Sequence, residues 1–331
     1  MNVSGPAARI GQWLSVRRSV LVVTHERPDG DAIGSLLGLA LALRSGGCPA
    51  WAYLRDPVPA RYRRALGRGD GASTVLTSVL PPAIEGLVYV DAATAERAEL
   101  PPGLNPAAAS LVRLNIDHHA DNTRFGDLVW VDATMSATAQ MILRLLPAAA
   151  IPLTREVATC LLVGVIMDTG GYRFPNTRAA ALRDTAELVE AGADYAATID
   201  SLFFQEPYPR RLLEARILQN ATFAHQGRVL YAVVGEDWFR TAGVDPADTE
   251  GLIDPLRSVA GVDIASLIQV DGAVVRFSLR SRSAAIPVNL IARALGGGGH
   301  AQAAGAKVTG LTLEQAETRL LDLTGKALGL G

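Results

Sequence analysis

Residues 19–35 read SVLVVTHERPDGDAIGS, a stretch that predicts a strand, a turn and the start of a helix. Its apolar beginning is typical of a buried strand, and the Pro-Asp-Gly that follows is favourable turn chemistry. The apolar residues after Asp31 follow helical spacing, so Asp31 could cap this helix. A histidine and two aspartates, His25, Asp29 and Asp31, thus lie between a strand and a helix. They could either shape the turn or belong to a functional site.

The composition argues against several classes of protein. The chain has 331 residues with 31 Lys and Arg against 33 Asp and Glu, so its charge is nearly balanced. This balance argues against binding of long duplex nucleic acid or an anionic membrane and leaves short or locally bound anions as partners. Cys48 and Cys160 form no CxxC pair, which argues against a disulfide framework or a thiolate zinc site. With no apolar run of about 18 residues and no signal peptide, we expect a soluble, cytoplasmic protein.

Short aliphatic runs alternate with helical patterns in the first half of the chain, which predicts an α/β fold with a mostly parallel sheet and flanking helices. The predicted strands are 20–23, 50–54, 87–90 and 111–116. Polar clusters follow three of them, at His25 to Asp31, at Asp91, and at Asp117-His118-His119. Because ligands bind beyond the carboxyl ends of parallel strands, these clusters should meet at one edge of the sheet.

The second half of the chain changes in character. An apolar segment at 152–174 predicts a buried helix that ends near Asp168, and helical patterns continue to about residue 222. Strands then alternate with helices, and Asp271-Gly272 predicts a hairpin. The predicted organisation is an N-terminal domain at 1–195, a helical connector at 196–222 and a smaller α/β domain at 223–331.

Histidines and aspartates gathered at strand ends favour metal binding. Four of the five histidines lie in polar clusters, whereas His225 precedes Gln-Gly and is interpreted as a turn or surface residue. The candidate ligands are His25, Asp29, Asp31, Asp91, His118 and Asp168. Oxygen and nitrogen ligands without thiolates suit manganese, magnesium, iron or zinc, and the carboxylates favour the first two. Two divalent ions about 3.5–4 Å apart activate water and stabilise phosphoryl charge. Hydrolysis of a phosphate ester or anhydride is the predicted reaction class.

Five segments, taken in order, resemble the motifs of the DHH phosphoesterase family. THERPDGDAIGS at 24–35, VDAAT at 90–94, the Asp-His-His triplet and DTGGYRF at 168–174 resemble its four metal-binding motifs. GGGGHAQAAG at 296–305, preceded by SLRSR at 278–282, resembles the DHH-associated C-terminal domain of the oligoribonuclease and phosphoadenosine phosphatase branch. The triplet alone is weak evidence, but five ordered motifs covering nearly the whole chain are specific.

This resemblance implies two metal subsites occupied by divalent ions, with Mn²⁺ favoured over Mg²⁺ or Co²⁺. The implied ligands are His25, Asp29 and Asp91 for the first subsite, and Asp31, His118, Asp168 and the same bridging Asp91 for the second. His119 would face the scissile phosphate, where it would stabilise charge or aid proton transfer. Asp117 would orient a histidine, with a direct ligand role as the alternative.

The resemblance also implies where the substrate binds. Its phosphate or terminal nucleotide would be held in an interdomain cleft by Arg280, Arg282, Gly297, Gly298, Gly299 and His300. The implied activity is hydrolysis of short oligoribonucleotides or pApA-like dinucleotides to 5′-mononucleotides, with a further activity on 3′-phosphoadenosine 5′-phosphate. A cyclic dinucleotide phosphodiesterase and a non-catalytic nucleotide-binding regulator are the alternatives. Pyrophosphatase and RecJ-like exonuclease functions are disfavoured, and the family implies a homodimer.

Overall fold

The structure is a computed structural model that describes residues 5–67, 71–106, 111–245, 249 and 251–330. The chain divides into two units, Met1–Gln205 and Glu206–Gly331. Within these described residues, each unit contains one six-stranded sheet, so the predicted α/β class is confirmed. Among the helices of the described residues, none combines the length and apolar character that a membrane span requires.

The first unit is built on a parallel sheet. Its strands are β1 (Val20–Val23), β2 (Ala50–Tyr53), β3 (Leu76–Thr77), β4 (Gly86–Val90), β5 (Val112–Asp117) and β6 (Leu128–Val131). They are ordered β3-β2-β1-β4-β5-β6, and every neighbouring pair is parallel. The four predicted strands are confirmed as β1, β2, β4 and β5, while the short β3 and β6 at the two edges were not predicted. The strand order reverses between β1 and β4, and such a switch point opens a crevice at the carboxyl ends of the strands.

Eight α-helices accompany this sheet in the described part of the first unit. They are α1 (Pro6–Ser15), α2 (Gly30–Ser45), α3 (Ala60–Ala65), α4 (Gly71–Val75), α5 (Thr138–Ala148), α6 (Arg155–Asp168), α7 (Ala179–Glu190) and α8 (Tyr195–Phe203), with a 3₁₀ turn at Ala95–Arg97. The buried helix predicted within 152–174 is confirmed as α6. All four side chains of β1 are buried, because Val20 and Val22 join the main core and Leu21 and Val23 join a smaller cluster. Burial on both faces is typical of parallel sheets.

Helices α2 and α6 pack closely against each other through glycines. A Cβ atom on Gly34 would lie 2.4 Å from the carbonyl oxygen of Cys160, and one on Gly30 would lie 2.2 Å from Cγ of Met167. Neither position tolerates a larger residue without movement of α6. Helix α2 begins at Gly30, and the Asp29 carboxylate caps it by accepting hydrogen bonds from the backbone N–H groups of Asp31 and Ala32. The expectation that Asp31 caps this helix is therefore wrong, because Asp31 already lies inside its first turn.

The second unit contains a mixed sheet. Its strands are β7 (Thr222–Ala224), β8 (Val229–Gly235), β9 (Ile264–Asp271), β10 (Val274–Ser281), β11 (Gly298–His300) and β12 (Ala303–Thr309). They are ordered β11-β12-β10-β9-β8-β7, with β8 and β9 parallel and the other pairs antiparallel. The hairpin predicted at Asp271-Gly272 is confirmed between β9 and β10. Side chains of β9 enter two cores in alternation, since Ile264 packs in one and Ala265 in the other.

The helices described in the second unit are α9 (Tyr208–Gln219), α10 (Glu236–Ala242), α11 (Asp254–Arg257), α12 (Val288–Ala294) and α13 (Leu313–Ala327). The predicted connector at 196–222 contains most of α8 and all of α9, and the division between the units at Gln205 falls between these two helices. The boundaries predicted at 195 and 223, and the role of this segment as a connector, stay predictions.

The glycine contact between α2 and α6 generates a stability prediction. We expect Gly34→Ala to lower the free energy of unfolding by about 1–3 kcal/mol, because the added methyl group meets backbone atoms that cannot rotate away. Chemical denaturation followed by circular dichroism measures this change. Gly5→Ala is the matched control, since a Cβ atom there meets nothing within 4 Å. Equal stability of the two variants would contradict the packing argument.

Candidate metal centre

The candidate ligands of the first unit lie at the sheet edge where the strand order reverses. His25 follows β1, and Asp29 and Asp31 lie at the N-terminal end of α2. Asp91 directly follows β4, the strand adjacent to β1. The Asp-His-His triplet begins on the last residue of β5, and Asp168 is the last residue of α6. Four distant parts of the sequence are thus brought to one site.

His25, Asp29 and Asp91 form the first group of candidate ligands. Each offers one ligand atom, and these atoms lie within 4.8 Å of one another. Nδ1 of His25 lies 2.9 Å from the carbonyl oxygen of Glu26, an arrangement in which Nδ1–H donates to that carbonyl. This bond directs Nε2 toward Asp91, whose Oδ2 is 3.8 Å away. A backbone bond that fixes the second ring nitrogen is common for metal-binding histidines.

Asp31, His118 and Asp168 form the second group, and their ligand atoms also lie within 4.8 Å of one another. Nε2 of His118 is 3.0 Å from Oδ2 of Asp168 and 3.8 Å from Oδ2 of Asp31. The other ring nitrogen, Nδ1, lies 3.3 Å from the carbonyl oxygen of Met135. As in the first group, a backbone carbonyl orients the imidazole so that Nε2 faces carboxylates.

Asp91 lies between the two groups and turns a different oxygen to each. Its Oδ2 faces His25, whereas its Oδ1 lies 3.6 Å from Nε2 of His118. The backbone of Asp91 has a φ of 56°, in the left-handed region that non-glycine residues other than Asn, Asp and His seldom adopt. One oxygen turned to each group is a geometry in which a carboxylate can bridge two ions. The bridging role itself stays a prediction.

Asp117 makes hydrogen bonds that suit an orienting role. Its Oδ1 accepts from Nδ1 of His119 at 2.8 Å and from the backbone N–H of His118 at 2.9 Å. Its Oδ2 accepts from Nδ2 of Asn122 at 2.6 Å. Asp117, His119 and Asp91 also form a group with ligand atoms within 4.8 Å of one another, so a direct ligand role is geometrically open. The three donors around Asp117 favour the predicted role of holding His119, whose Nε2 is turned away from Asp117.

The electrostatics of the site follow from burial of several carboxylates together. Burial raises the pKa of Asp31 and Asp91 well above the usual carboxyl value, and nearby carboxylates raise it further. Burial alone would lower the pKa of His118, but Asp168, Asp91 and Asp31 outweigh it and raise that pKa. Burial lowers the pKa of His25. Burial alone would raise the pKa of Asp117, but the hydrogen bond and charge of His119 lower it, so Asp117 stays ionised. The excess of buried acidic groups favours a bound cation.

Sequence reasoning missed the residues that hold these ligands in place. The backbone N–H groups of Thr138 and Ala139 donate to the two oxygens of Asp31 at 2.6 and 3.0 Å, and Oγ of Ser35 donates to Oδ1 at 3.2 Å. Oγ1 of Thr138 donates to Oδ1 of Asp91 at 2.9 Å. Ser35 lies one turn after Asp31 in α2, a spacing that could have pointed to it. The segment around Thr138 carries no comparable signal.

The residues predicted to bind substrate lie in the second unit. Arg280 lies on β10, whereas Arg282 lies just beyond the end of this strand and donates hydrogen bonds to the carbonyl oxygens of Val259 and Val262. Gly298, Gly299 and His300 form β11, paired with β12. A substrate-binding role for these residues stays a prediction.

Close backbone contacts explain why two positions in the glycine run, 297 and 299, are glycine. A Cβ atom on Gly297 would lie 2.1 Å from the carbonyl oxygen of Gly305. Gly299 has a φ of 129°, and a Cβ atom there would lie 2.7 Å from the carbonyl oxygen of Ala303. The close pairing of β11 with β12 therefore requires glycine at these positions independently of any ligand.

Comparison with known proteins places two domain families along the chain. Residues 19–165 match the DHH family, N-terminal domain, and residues 226–328 match the DHHA1 domain. The chain is 37% identical over 314 residues to the bifunctional oligoribonuclease and PAP phosphatase NrnA of Thermus thermophilus, a match that covers 95% of this chain and 91% of that protein. It is 27% identical over 320 residues to the protein of the same name from Bacillus subtilis, covering 94% and 95%.

A solved structure shows the same fold over both units. The exopolyphosphatase-related protein from Bacteroides fragilis superposes with a TM-score of 0.83 and 22% sequence identity, covering 98% of this chain and 97% of that one. The matched domains and the NrnA relatives agree with the order of motifs along the sequence. The chain therefore belongs to the DHH phosphoesterase family and carries both the N-terminal DHH domain and the DHHA1 domain.

Proposed function

We propose that this protein is a manganese-dependent phosphodiesterase that hydrolyses short oligoribonucleotides and linear dinucleotides such as pApA to 5′-mononucleotides. We further propose that it removes phosphate from 3′-phosphoadenosine 5′-phosphate. The observation that carries the hydrolytic chemistry is the position of Asp91, with one carboxylate oxygen toward each of two ligand groups. The substrate class rests on similarity to NrnA over nearly the whole chain.

The donor set fits two divalent ions. Both groups consist of carboxylate oxygens and imidazole nitrogens, which suit Mn²⁺, and Asp31, Asp91 and His118 are at most 4% exposed. The proposed ligands are His25, Asp29 and Asp91 for the first ion, and Asp31, Asp91, His118 and Asp168 for the second. Such ions would supply Lewis acidity at the phosphoryl group and activate a water molecule.

The chain supplies a positioned histidine beside these ligands. Asp117 holds Nδ1 of His119, so the imidazole ring has one orientation and its Nε2 is turned away from the Asp117 carboxylate. The low pKa of Asp117 keeps a negative charge beside the ring, which would stabilise positive charge that develops on the imidazole during the reaction. We assign to His119 either stabilisation of charge on the phosphoryl oxygen or proton transfer to the leaving oxygen.

The second unit is proposed to set substrate length and identity. Arg280, Arg282 and the glycine-rich segment at 297–300 would bind the phosphate or terminal nucleotide of the substrate. Arginine and backbone N–H donors recognise phosphate but not base sequence, in keeping with a substrate defined by its end. We also propose a homodimer that works in the cytoplasm on short RNA and phosphorylated nucleotides.

A substrate panel tests the proposed function. The purified protein with Mn²⁺ should release mononucleotides from pApA and from RNAs of two to five nucleotides, and phosphate from 3′-phosphoadenosine 5′-phosphate, while a chelator should abolish each reaction. Product chromatography measures these activities, with cyclic di-AMP and pyrophosphate as comparison substrates. Cleavage of pyrophosphate alone would refute the proposal. Preferred cleavage of cyclic di-AMP would support the alternative phosphodiesterase, and binding of nucleotides without turnover would support a regulator.

Replacement of the shared carboxylate tests the two-metal assignment. We expect Asp91→Asn to lose Mn²⁺ from both subsites and to lower kcat/KM by more than about 100-fold. Mutation of residues that only hydrogen-bond to metal ligands already lowers metal affinity or activity by about 10–100-fold. Asparagine tolerates a positive φ, so the fold should persist. Metal content is measured by atomic absorption and folding by circular dichroism. Asp56→Asn, at an exposed position, is the control. Unchanged metal content in Asp91→Asn would contradict the bridging assignment.

Replacement of His300 tests the role of the second unit. We expect His300→Ala to keep its metal content and to raise KM for pApA by about 10–100-fold, since a hydrogen bond to a charged group contributes about 1.5–3 kcal/mol. Steady-state kinetics alongside metal analysis separate the two effects. His225→Gln is the matched control, because Nε2 of His225 contacts Leu321 and Thr324 within its own unit. An unchanged KM in His300→Ala would remove His300 from the substrate site.

A further inference from the structure

The N-terminal end of α5 is capped in a way that local sequence preferences do not explain. Helices commonly begin with a residue whose side chain caps the first N–H groups. Within the described part of the chain, Ala137 occupies this position and provides no side-chain cap. The N–H groups of Thr138 and Ala139 donate instead to Asp31, a carboxylate from the first turn of α2. A candidate metal ligand therefore serves as the cap of α5.

The hydroxyl group of Thr138 bonds to a residue outside its own helix. Threonine side chains in helices can bond to backbone groups nearby in the sequence. Here Oγ1 of Thr138 donates to Oδ1 of Asp91 at 2.9 Å, and the residue is fully buried. Thr138 thus contacts one ligand from each group, Asp31 through its backbone and Asp91 through its side chain.

We propose that Thr138 is a positioning residue that fixes the rotation of the Asp91 carboxylate and thereby assigns one oxygen to each metal subsite. The inference rests on the proposed two-metal function. A carboxylate can rotate about its Cβ–Cγ bond, so burial alone does not determine which oxygen faces which ligand group. The hydrogen bond from Thr138 holds Oδ1 on the side of His118, and Oδ2 then faces His25.

The N-terminal end of α5 holds Thr138 in a fixed position. The backbone of α5 is fixed by its own hydrogen bonds, and two of its N–H groups already hold both oxygens of Asp31. The hydroxyl group extends from the same turn, so the carboxylates of Asp31 and Asp91 are held at a set separation by one element. Loss of the hydroxyl alone should free Asp91 while Asp31 keeps both backbone bonds.

Isosteric and conservative variants of Thr138 test the proposal. Thr138→Val keeps the shape and the backbone N–H groups but removes the hydroxyl, whereas Thr138→Ser keeps the hydroxyl. We expect Thr138→Val to bind Mn²⁺ about 10–100-fold more weakly by isothermal titration calorimetry, and Thr138→Ser to stay close to the wild-type affinity. In electron paramagnetic resonance, wild-type protein and Thr138→Ser with two equivalents of Mn²⁺ should show a spin-coupled pair. Thr138→Val should show mainly the six-line spectrum of isolated ions.

Thr198→Val is the matched control, because Thr198 is buried in α8 and its hydroxyl donates to the backbone of Asp194. This variant should keep the wild-type metal affinity, so a general effect of losing a buried hydroxyl is measured separately. If Thr138→Val does not fold, the comparison of Thr138→Ser with Thr138→Ala isolates the hydroxyl in the same way.

Wild-type affinity and a spin-coupled spectrum in Thr138→Val would overturn the proposal, as would a loss of affinity in Thr138→Ser equal to that in Thr138→Val. The wild-type measurement distinguishes this failure from failure of the proposed function. Wild-type protein that binds no pair of ions would refute the two-metal function itself. Wild-type protein that binds a coupled pair, together with an unaffected Thr138→Val variant, would refute only the role of Thr138.

Discussion

The close contact between α2 and α6 is the constraint on which the candidate metal centre depends. A Cβ atom on Gly164 would lie 2.6 Å from Oδ1 of Asp31, and a Cβ atom on Gly34 would lie 2.4 Å from the carbonyl oxygen of Cys160. Glycine at both positions lets the helices approach while leaving room for a buried carboxylate between them. The same contact places Asp168, at the end of α6, within reach of His118. A larger residue at either glycine would separate ligands that come from different elements.

The fold tolerates this concentration of acidic groups because it surrounds them with oriented donors. An uncompensated charge in a protein interior costs several kcal/mol, so burial without donors would favour protonation of Asp31 and Asp91. Asp31 receives two backbone N–H groups from the positive end of α5 and the hydroxyl of Ser35. Asp91 receives the hydroxyl of Thr138. These donors offset part of the cost, and the remaining excess of negative charge is what a divalent cation would neutralise.

The sequence predicted the location of this site better than its supporting contacts. Apolar runs followed by polar clusters were sufficient to bring the candidate ligands together, because the carboxyl ends of parallel strands share one edge. The bond between Thr138 and Asp91 was not predictable, since it joins segments far apart in the chain. The cap of α2 was assigned to Asp31 instead of Asp29 because helix starts are uncertain by a residue or two. The residue types of the glycine-rich segment also gave no sign that part of it pairs with β12 as a strand.

The backbone of Asp91 shows how the site departs from ordinary local preferences. A strand normally ends with φ negative, yet Asp91 has a φ of 56° directly after β4. Its backbone N–H donates to the carbonyl oxygen of Ile116, so the turn is fixed by the neighbouring strand β5. This conformation bends the chain away from the extended direction at the point where the two ligand groups meet. Backbone strain of this kind persists where the surroundings over-determine it, and it tends to occur at functional sites. The turn thus directs Asp91 between the two groups, and Thr138 then fixes which oxygen faces each.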